Sequence, residues 1–491
     1  MLPSGPVAET SSGTVRGVRE QGFSTFHALP YAAPPLGPMR FAPPAAVAAW
    51  VGVRDCTKVG ASAPQGPSRL DAVMGVAPFE QSEDCLTSTI WTPSADNARR
   101  PVMIWLHGGA YQSGGGHQVF YAGGKLARCG DIVVVSINYR LGALGYLYLP
   151  EAETAGGVAA NRGLLDQIQA LRWVRDNIAA FGGDPANITI CGQSAGGGSA
   201  LALLADPEAR TMIHRAILQS SSTSTLSIER ASEISAAFHA AAGVPRGDIA
   251  RLKALPIALI VAAQRKVQMD IAAGGDRTIA YQIVSPTPSC PLNPAKAVSQ
   301  GAAKGIPLLI GSTLDEGHAW LAQDDTLVAA TNFDVVDALA KAGDFAAAAG
   351  DLPDDRRAVA EKPWELLSAM MTWAVFEKPA RRLADAHASH GGDAYVYRFD
   401  WRPTADATFG ACHCIEIPFV FDNLDGWPTA AMMAGHDPAA VAEVTRMVQG
   451  AWISFIRDGK PISLGLPEWP RWSALSRSTM RLNVEAKVQN G

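Results

Sequence analysis

No stretch of the chain approaches the roughly 18 continuous apolar residues that a membrane-spanning helix needs. The amino end, Met1-Leu2-Pro3-Ser4-Gly5-Pro6, lacks both the basic and the apolar region of a secretory signal, so the cytosol is the expected location. A chain trimmed of its signal would read the same way. Seven cysteines in 491 residues are too few for a disulfide framework. Charge of one sign is also lacking. With 41 basic and 46 acidic residues and a net charge of −5, there is no electrostatic footprint for nucleic acid. No Ser/Gly/Pro-rich linker, charge block or internal repeat divides the chain. Length alone would suggest two or three domains. Alternating strand-like and helix-like segments point instead to one α/β domain over residues 1–491, with insertions.

What is present centres on Gly192-Gln193-Ser194-Ala195-Gly196. Before it, Asn187-Ile188-Thr189-Ile190-Cys191 is a short β-branched run; after it, Gly197 through Leu204 is small and apolar, as a buried helix would be. Strand, tight turn and helix form the setting in which G-x-S-x-G is a nucleophile elbow. With 47 glycines in the chain, on the order of 0.3 matches would arise by chance, so the setting must carry the reading.

Other strands are predicted at Gly13–Gly17 and Thr25–His27, as an amino-terminal hairpin or meander, and at Leu86–Trp91. Pro101–Leu106 and Asp131–Ile137 are continuous apolar runs suited to a central parallel sheet. Ala216–Ser220, Pro307–Ser312 and Tyr395–Phe399 follow. Apolar residues at 164, 165, 168, 171, 174 and 178 have the helical period. Between the later strands lie two Ala-rich helical insertions, about 222–306 and 320–394, placed where a lid over the carboxyl edge of the sheet is expected.

A serine needs a base to become a nucleophile. His239, His387 and His390 lie in polar or Ala-rich helical stretches and read as solvated. His413 stands apart, in Gly410-Ala411-Cys412-His413-Cys414-Ile415-Glu416, a Gly-started loop after the elbow and after the last predicted strand. The flanking cysteines lack a second ligand pair at zinc spacing, and a strand-like run would point neighbours apart, so two packed thiols are expected rather than a metal. An acid to orient the base is available in Thr313-Leu314-Asp315-Glu316-Gly317, after the strand at Pro307–Gly311; the residues alone do not choose between Asp315 and Glu316. Leu106-His107-Gly108-Gly109-Ala110-Tyr111 follows a buried strand and, on its own, is a turn.

The line Phe181-Gly182-Gly183-Asp184-Pro185, Ile188–Ile190 and Gly192–Gly197 resembles the type-B carboxylesterases among the α/β-hydrolases. The resemblance runs from Gly13 to about Trp472 and takes in Asn138-Tyr139-Arg140-Leu141-Gly142. It implies a mostly parallel, twisted central sheet flanked by helices, with helical lid insertions. It also implies a serine esterase that hydrolyses small carboxylic esters through an acyl-enzyme on Ser194, with no cofactor and no metal. It assigns the acid to Glu316 and the base to His413. The oxyanion donors it implies are Gly109, Ala110 and Ala195, with Gly108 giving the backbone room and Ala110 standing where relatives carry a third glycine. Ser220 falls behind the triad, near the acid. Arg40 and Glu83, two solvated charges on pattern alone, become a structural pair.

Departures from the family are equally specific. Gln193 replaces a glutamate often found before the nucleophile, and residues 66–82 contain no tryptophan, which together argue against choline esters. Ala63 stands where many secreted relatives place the partner of the cysteine matching Cys85, so that disulfide is not expected, and a Cys56–Cys85 bridge does not follow from the sequence. Tyr111, Phe419 and Phe421 suit either a pocket lining or the core. Carbamates, amides, thioesters and polyesters remain open as substrates, as does a monomer or a dimer. A non-catalytic binding protein of the same fold is the distant alternative, disfavoured by an intact triad.

Overall fold

In the computed structural model the described residues are 5–150, 159–331, 350–358, 360–405 and 408–491; part of the second expected insertion, 332–349, lies outside them. The strands are β1 Val7–Thr10, β2 Gly13–Arg16, β3 Val18–Glu20, β4 Phe23–Pro30, β5 Val53–Asp55, β6 Thr87–Thr92 and β7 Arg100–Leu106. They continue as β8 Val133–Ile137, β9 Gly183–Gln193, β10 Arg215–Gln219, β11 Leu308–Thr313, β12 Ala394–Phe399, β13 Thr479–Leu482 and β14 Lys487–Gln489.

Eleven of them form one sheet in the order β14-β13-β12-β11-β10-β9-β7-β8-β6-β4-β3. From β13 to β8 every neighbouring pair is parallel, and antiparallel pairs close both ends. The fold is that of the α/β-hydrolases, a large and mostly parallel sheet flanked by helices.

The continuous apolar runs are explained by where alternate residues go. Val102, Ile104 and Leu106 of β7, with Val133, Val135 and Ile137 of β8, enter one core layer, which also holds Leu164, Ile168 and Leu171 of the helix Arg162–Asn177. Met103, Trp105 and Val134 enter the opposite layer, against Val448, Trp452 and Phe455 of the helix Pro438–Asp458. A strand covered on both faces has no polar side to present, so its sequence shows no alternation.

Arg140, at the exit of β8, forms a buried bidentate pair with Asp166, with Nε–Oδ2 at 2.8 Å and Nη2–Oδ1 at 2.7 Å. That pair ties the strand to the helix Arg162–Asn177. Arg40 and Glu83 form an ion pair with Nε–Oε2 at 2.7 Å, and Arg40 Nη1 also donates to the Lys253 and Leu255 carbonyls.

Four expectations need correction. Gly13–Arg16 and Thr25–His27 do not pair: the first joins β1 and β5 in a separate three-stranded sheet, while the second lies within β4. Two further strands, β13 and β14, follow Tyr395–Phe399; at four and three residues they are too short to show a period. The run at Cys412-His413-Cys414 is not strand-like: residues 413–416 form a turn leading into the short helix Ile417–Phe421, which has Pro418 in its first turn. His239 and His387 are buried, not solvated, because each lies on the inward stripe of its helix, with Ala231, Ser235 and Phe238 for one and Ala380, Leu383 and Ala384 for the other. His390 is exposed.

Candidate active site

Four neighbouring parallel strands deliver the candidate residues to one edge of the sheet. Ser194 follows β9, Ser220 follows β10, Glu316 lies just beyond β11, and His413 comes after β12. The loop His107–Tyr111 leaves the same edge from β7.

Ser194 sits at φ 58°, ψ −122°, between β9 and the helix Ala195–Ala205. A positive φ at a side-chain-bearing residue costs about 1–3 kcal/mol and persists only where neighbours hold it. Here Ser194 N donates to the Gln219 carbonyl at 2.9 Å, and Gly198 N donates to the Ser194 carbonyl at 3.0 Å. The outer glycines are required by contact. A Cβ on Gly192 would lie 2.3 Å from the Gly196 carbonyl oxygen, and one on Gly196 would lie 1.9 Å from that of Leu106.

His413 and Glu316 are in direct contact, Nδ1 to Oε2 at 2.5 Å, and both are fully buried. Glu316 Oε1 accepts from Ser220 Oγ at 2.6 Å and from Thr313 N at 2.8 Å. Its carboxylate is therefore held at both oxygens. Asp315, the other carboxylate of this loop, turns away from the imidazole and joins the two loops. Its N–H donates to the Ala411 carbonyl and its Oδ2 accepts from Ala411 N, both at 2.9 Å.

With Nδ1–H donated to Glu316, the imidazole carries its lone pair on Nε2. Among the described residues, the hydrogen-bond partner of Nε2 is Gln193 Nε2, at 3.1 Å, and not the Ser194 hydroxyl. Two aromatic rings flank the imidazole: Trp320, with centroids 4.9 Å apart, and Phe376 at 5.1 Å, the latter from a π-helical turn at Trp373–Glu377.

The N–H groups of Gly109, Ala110 and Ala195 donate to no protein acceptor among the described residues. Gly109 and Ala110 both have positive φ, at 112° and 54°. The loop is braced from behind by His107, which stacks on Tyr139 at 4.4 Å and donates from Nδ1 to the Gly108 carbonyl at 2.8 Å. Burial lowers the His107 pKa to about 4, so this brace is neutral. Tyr111 is buried beside Gly198, Leu201, Ser222 and Ile283, while Phe419 and Phe421 belong to the core. An open groove, between Pro64–Pro67 and the helix Ile257–Ala273, contains none of these residues.

All seven cysteines are free, and the described residues hold no group of three or more His, Cys, Asp or Glu placed to bind a metal ion. No helix among them is long and apolar enough to cross a membrane.

Sequence reasoning gave no role to Trp320, Phe376 or Glu416. The first two reach His413 from separate helices, and no local pattern signals that. Glu416 had a faint signal, a lone carboxylate in an apolar run three residues after the base. It is fully buried: Oε1 accepts from Gln219 Nε2 at 3.2 Å, and Oε2 has no hydrogen-bond partner among the described residues.

Burial, and then the nearby Glu316 charge, raise the Glu416 pKa from 4.5 to about 7. Between those values the folded chain keeps a proton that the unfolded chain releases, so stability falls as pH rises through the window and stays reduced above it. The full effect is of order 3 kcal/mol. Glu416→Gln reproduces the protonated form and keeps an acceptor for Gln219. It is expected to match wild type near pH 4.5 and to unfold at higher urea concentration than wild type at about pH 8. Equal pH dependence of the two urea midpoints would refute this.

Comparison with known proteins matches this architecture along its whole length. The carboxylesterase family model covers residues 4–491. The chain is 36% identical over 484 residues to the para-nitrobenzyl esterase of Bacillus subtilis, covering 99% of this chain and 96% of that one. It is 38% identical over 477 residues to the phenmedipham hydrolase of Pseudarthrobacter oxydans, covering 96% and 93%. The carboxylesterase of Geobacillus stearothermophilus superimposes with a TM-score of 0.86 at 35% identity, covering 99% of this chain and 97% of that one. The chain belongs to the carboxylesterase family and is a carboxylic ester hydrolase.

Proposed function

We propose that the chain hydrolyses small neutral carboxylic esters through an acyl-enzyme on Ser194, with His413 as base and Glu316 as its acid. The contact of Glu316 with His413 beside the elbow serine carries this reading. Ser194 Oγ attacks the ester carbonyl, its proton passes to His413 Nε2, and the carbonyl electron pair moves to oxygen. That oxyanion is taken up by the N–H groups of Gly109, Ala110 and Ala195, donors that need no reorganisation as charge develops. The imidazolium is stabilised by Glu316 and then protonates the departing alcohol. Water, deprotonated by the same imidazole, releases the acid and regenerates Ser194.

Ser220 supports the acid, Gln193 lies beside the base, and Arg40 with Glu83 braces the loop above. The same triad acting on a carbamate, amide, thioester or polyester is the second reading. One α/β-hydrolase domain over residues 1–491, with lid insertions about 222–306 and 320–394, fits the helices found in the described parts of both. A cytosolic location fits seven free thiols.

Hydrolysis of p-nitrophenyl acetate, butyrate and octanoate, together with labelling by a fluorophosphonate, tests the reading. Turnover of at least one ester and a single phosphonylated peptide containing Ser194 are expected. No turnover of any ester, or a label elsewhere, would overturn it.

A further inference from the structure

Gln193 is the last residue of β9 and its side chain is buried. Its carboxamide touches the site on two sides. Nε2 lies 3.1 Å from His413 Nε2, and Oε1 lies against the oxyanion loop, where a Cβ on Gly108 would come within 2.8 Å of it. The orientation follows from the imidazole. Since His413 donates Nδ1–H to Glu316, its Nε2 can only accept, and the carboxamide must present its N–H side there.

Resting on the proposed site, we propose that Gln193 is a positioning residue that occupies the resting His413 at Nε2 and opposes protonation there until substrate draws the imidazole onto Ser194. The chemistry is simple. A neutral imidazole offers Nε2 a lone pair, and the amide N–H satisfies it. An imidazolium offers Nε2–H, which meets a second donor. A carboxylate at the same place would do the reverse, since it accepts from the cation and has nothing to give the neutral ring. The chain thus trades some readiness, because Ser194 must displace the amide, for a resting base whose Nε2 lone pair is satisfied.

The other groups around the imidazole are few. Glu316 faces Nδ1 from the loop after β11, Glu416 lies on the segment that follows His413, and Tyr397 of β12 lies behind both carboxylates. Cys412 and Cys414 flank the ring in sequence, and Trp320 and Phe376 contribute no charge. Among the described residues Gln193 is the hydrogen-bond donor to Nε2, so its replacement acts on that atom directly.

The test is the pH profile of kcat/KM for p-nitrophenyl butyrate in wild type, Gln193→Met and Gln193→Glu. Methionine fills similar space and cannot donate; glutamate accepts. The acid limb is expected to move to higher pH in the order wild type, Met, Glu, with Glu displaced by about one pH unit or more, a tenfold or greater loss of relative activity on the acid side. A purely structural role would lower kcat at every pH and leave the limb in place. Should Gln193→Glu fail to fold, Gln193→Met alone decides, an upward shift supporting the proposal. Coincident limbs, or a downward shift, would overturn it. Those outcomes overturn this inference alone where Ser194→Ala is inactive; an active Ser194→Ala overturns the reading of the site itself.

Discussion

Replacing Ser194 by alanine is expected to lower kcat/KM for p-nitrophenyl butyrate by about 10⁴-fold or more, while leaving the unfolding midpoint close to that of wild type. Loss of this size follows from the role of the nucleophile, since the remaining site retains only binding and oxyanion stabilisation. The second half of the expectation comes from the geometry. The φ of 58° is imposed on any residue with a Cβ, so alanine inherits the strain that serine already carries. The contacts that hold the elbow are made by the Ser194 backbone, to Gln219, Gly198 and Ser222, and they survive. The hydroxyl itself has no hydrogen-bond partner in the described residues, so its removal orphans no buried group and should cost no more than about 0.5 kcal/mol. Measured side by side, activity and urea midpoint separate a lost nucleophile from a lost fold. Activity within tenfold of wild type would move the nucleophile elsewhere.

The elbow was legible because one short stretch contains its whole cause. The β-branched run before Ser194, the glycines at 192 and 196 and the small apolar helix after it are neighbours in sequence and in space. The central strands were legible for a related reason: burial on both faces writes an unbroken apolar run. Where one part's structure depends on a distant segment, the sequence was silent. Asp315 and Glu316 are adjacent carboxylates, and their different roles depend on Ala411 and His413, almost a hundred residues away. The hydrogen bond from Gln193 to His413 spans 220 residues. His239 and His387 looked solvated because their helices are rich in alanine, and it is the neighbouring segments that bury one stripe of each. Resemblance to a family supplied the choice of Glu316, because it carries information about distant contacts that a single sequence does not.

That choice leads to the second large effect. Glu316→Gln is expected to lower kcat by about 10³–10⁴-fold, through the imidazole rather than through the fold. Both carboxylate oxygens of Glu316 accept hydrogen bonds: Oε1 from Ser220 and Thr313, Oε2 from His413 Nδ1. A glutamine has one acceptor and one donor for these places. If its oxygen stays with Ser220 and Thr313, its NH₂ faces Nδ1, and the imidazole must move its proton to Nε2. The lone pair that takes the Ser194 proton is then gone, and Nε2–H points at the Gln193 amide, a second mismatch. If the amide is turned the other way, its NH₂ confronts the Thr313 N–H, which cannot rotate away. Either arrangement removes the negative charge that stabilises the imidazolium. Asp315→Asn provides the contrast, because the asparagine oxygen can still accept from Ala411 N, and its kcat should stay within about tenfold of wild type. Glu316→Gln retaining more activity than Asp315→Asn would exchange the two assignments, and equal, mild losses in both would leave His413 without an acid on this loop.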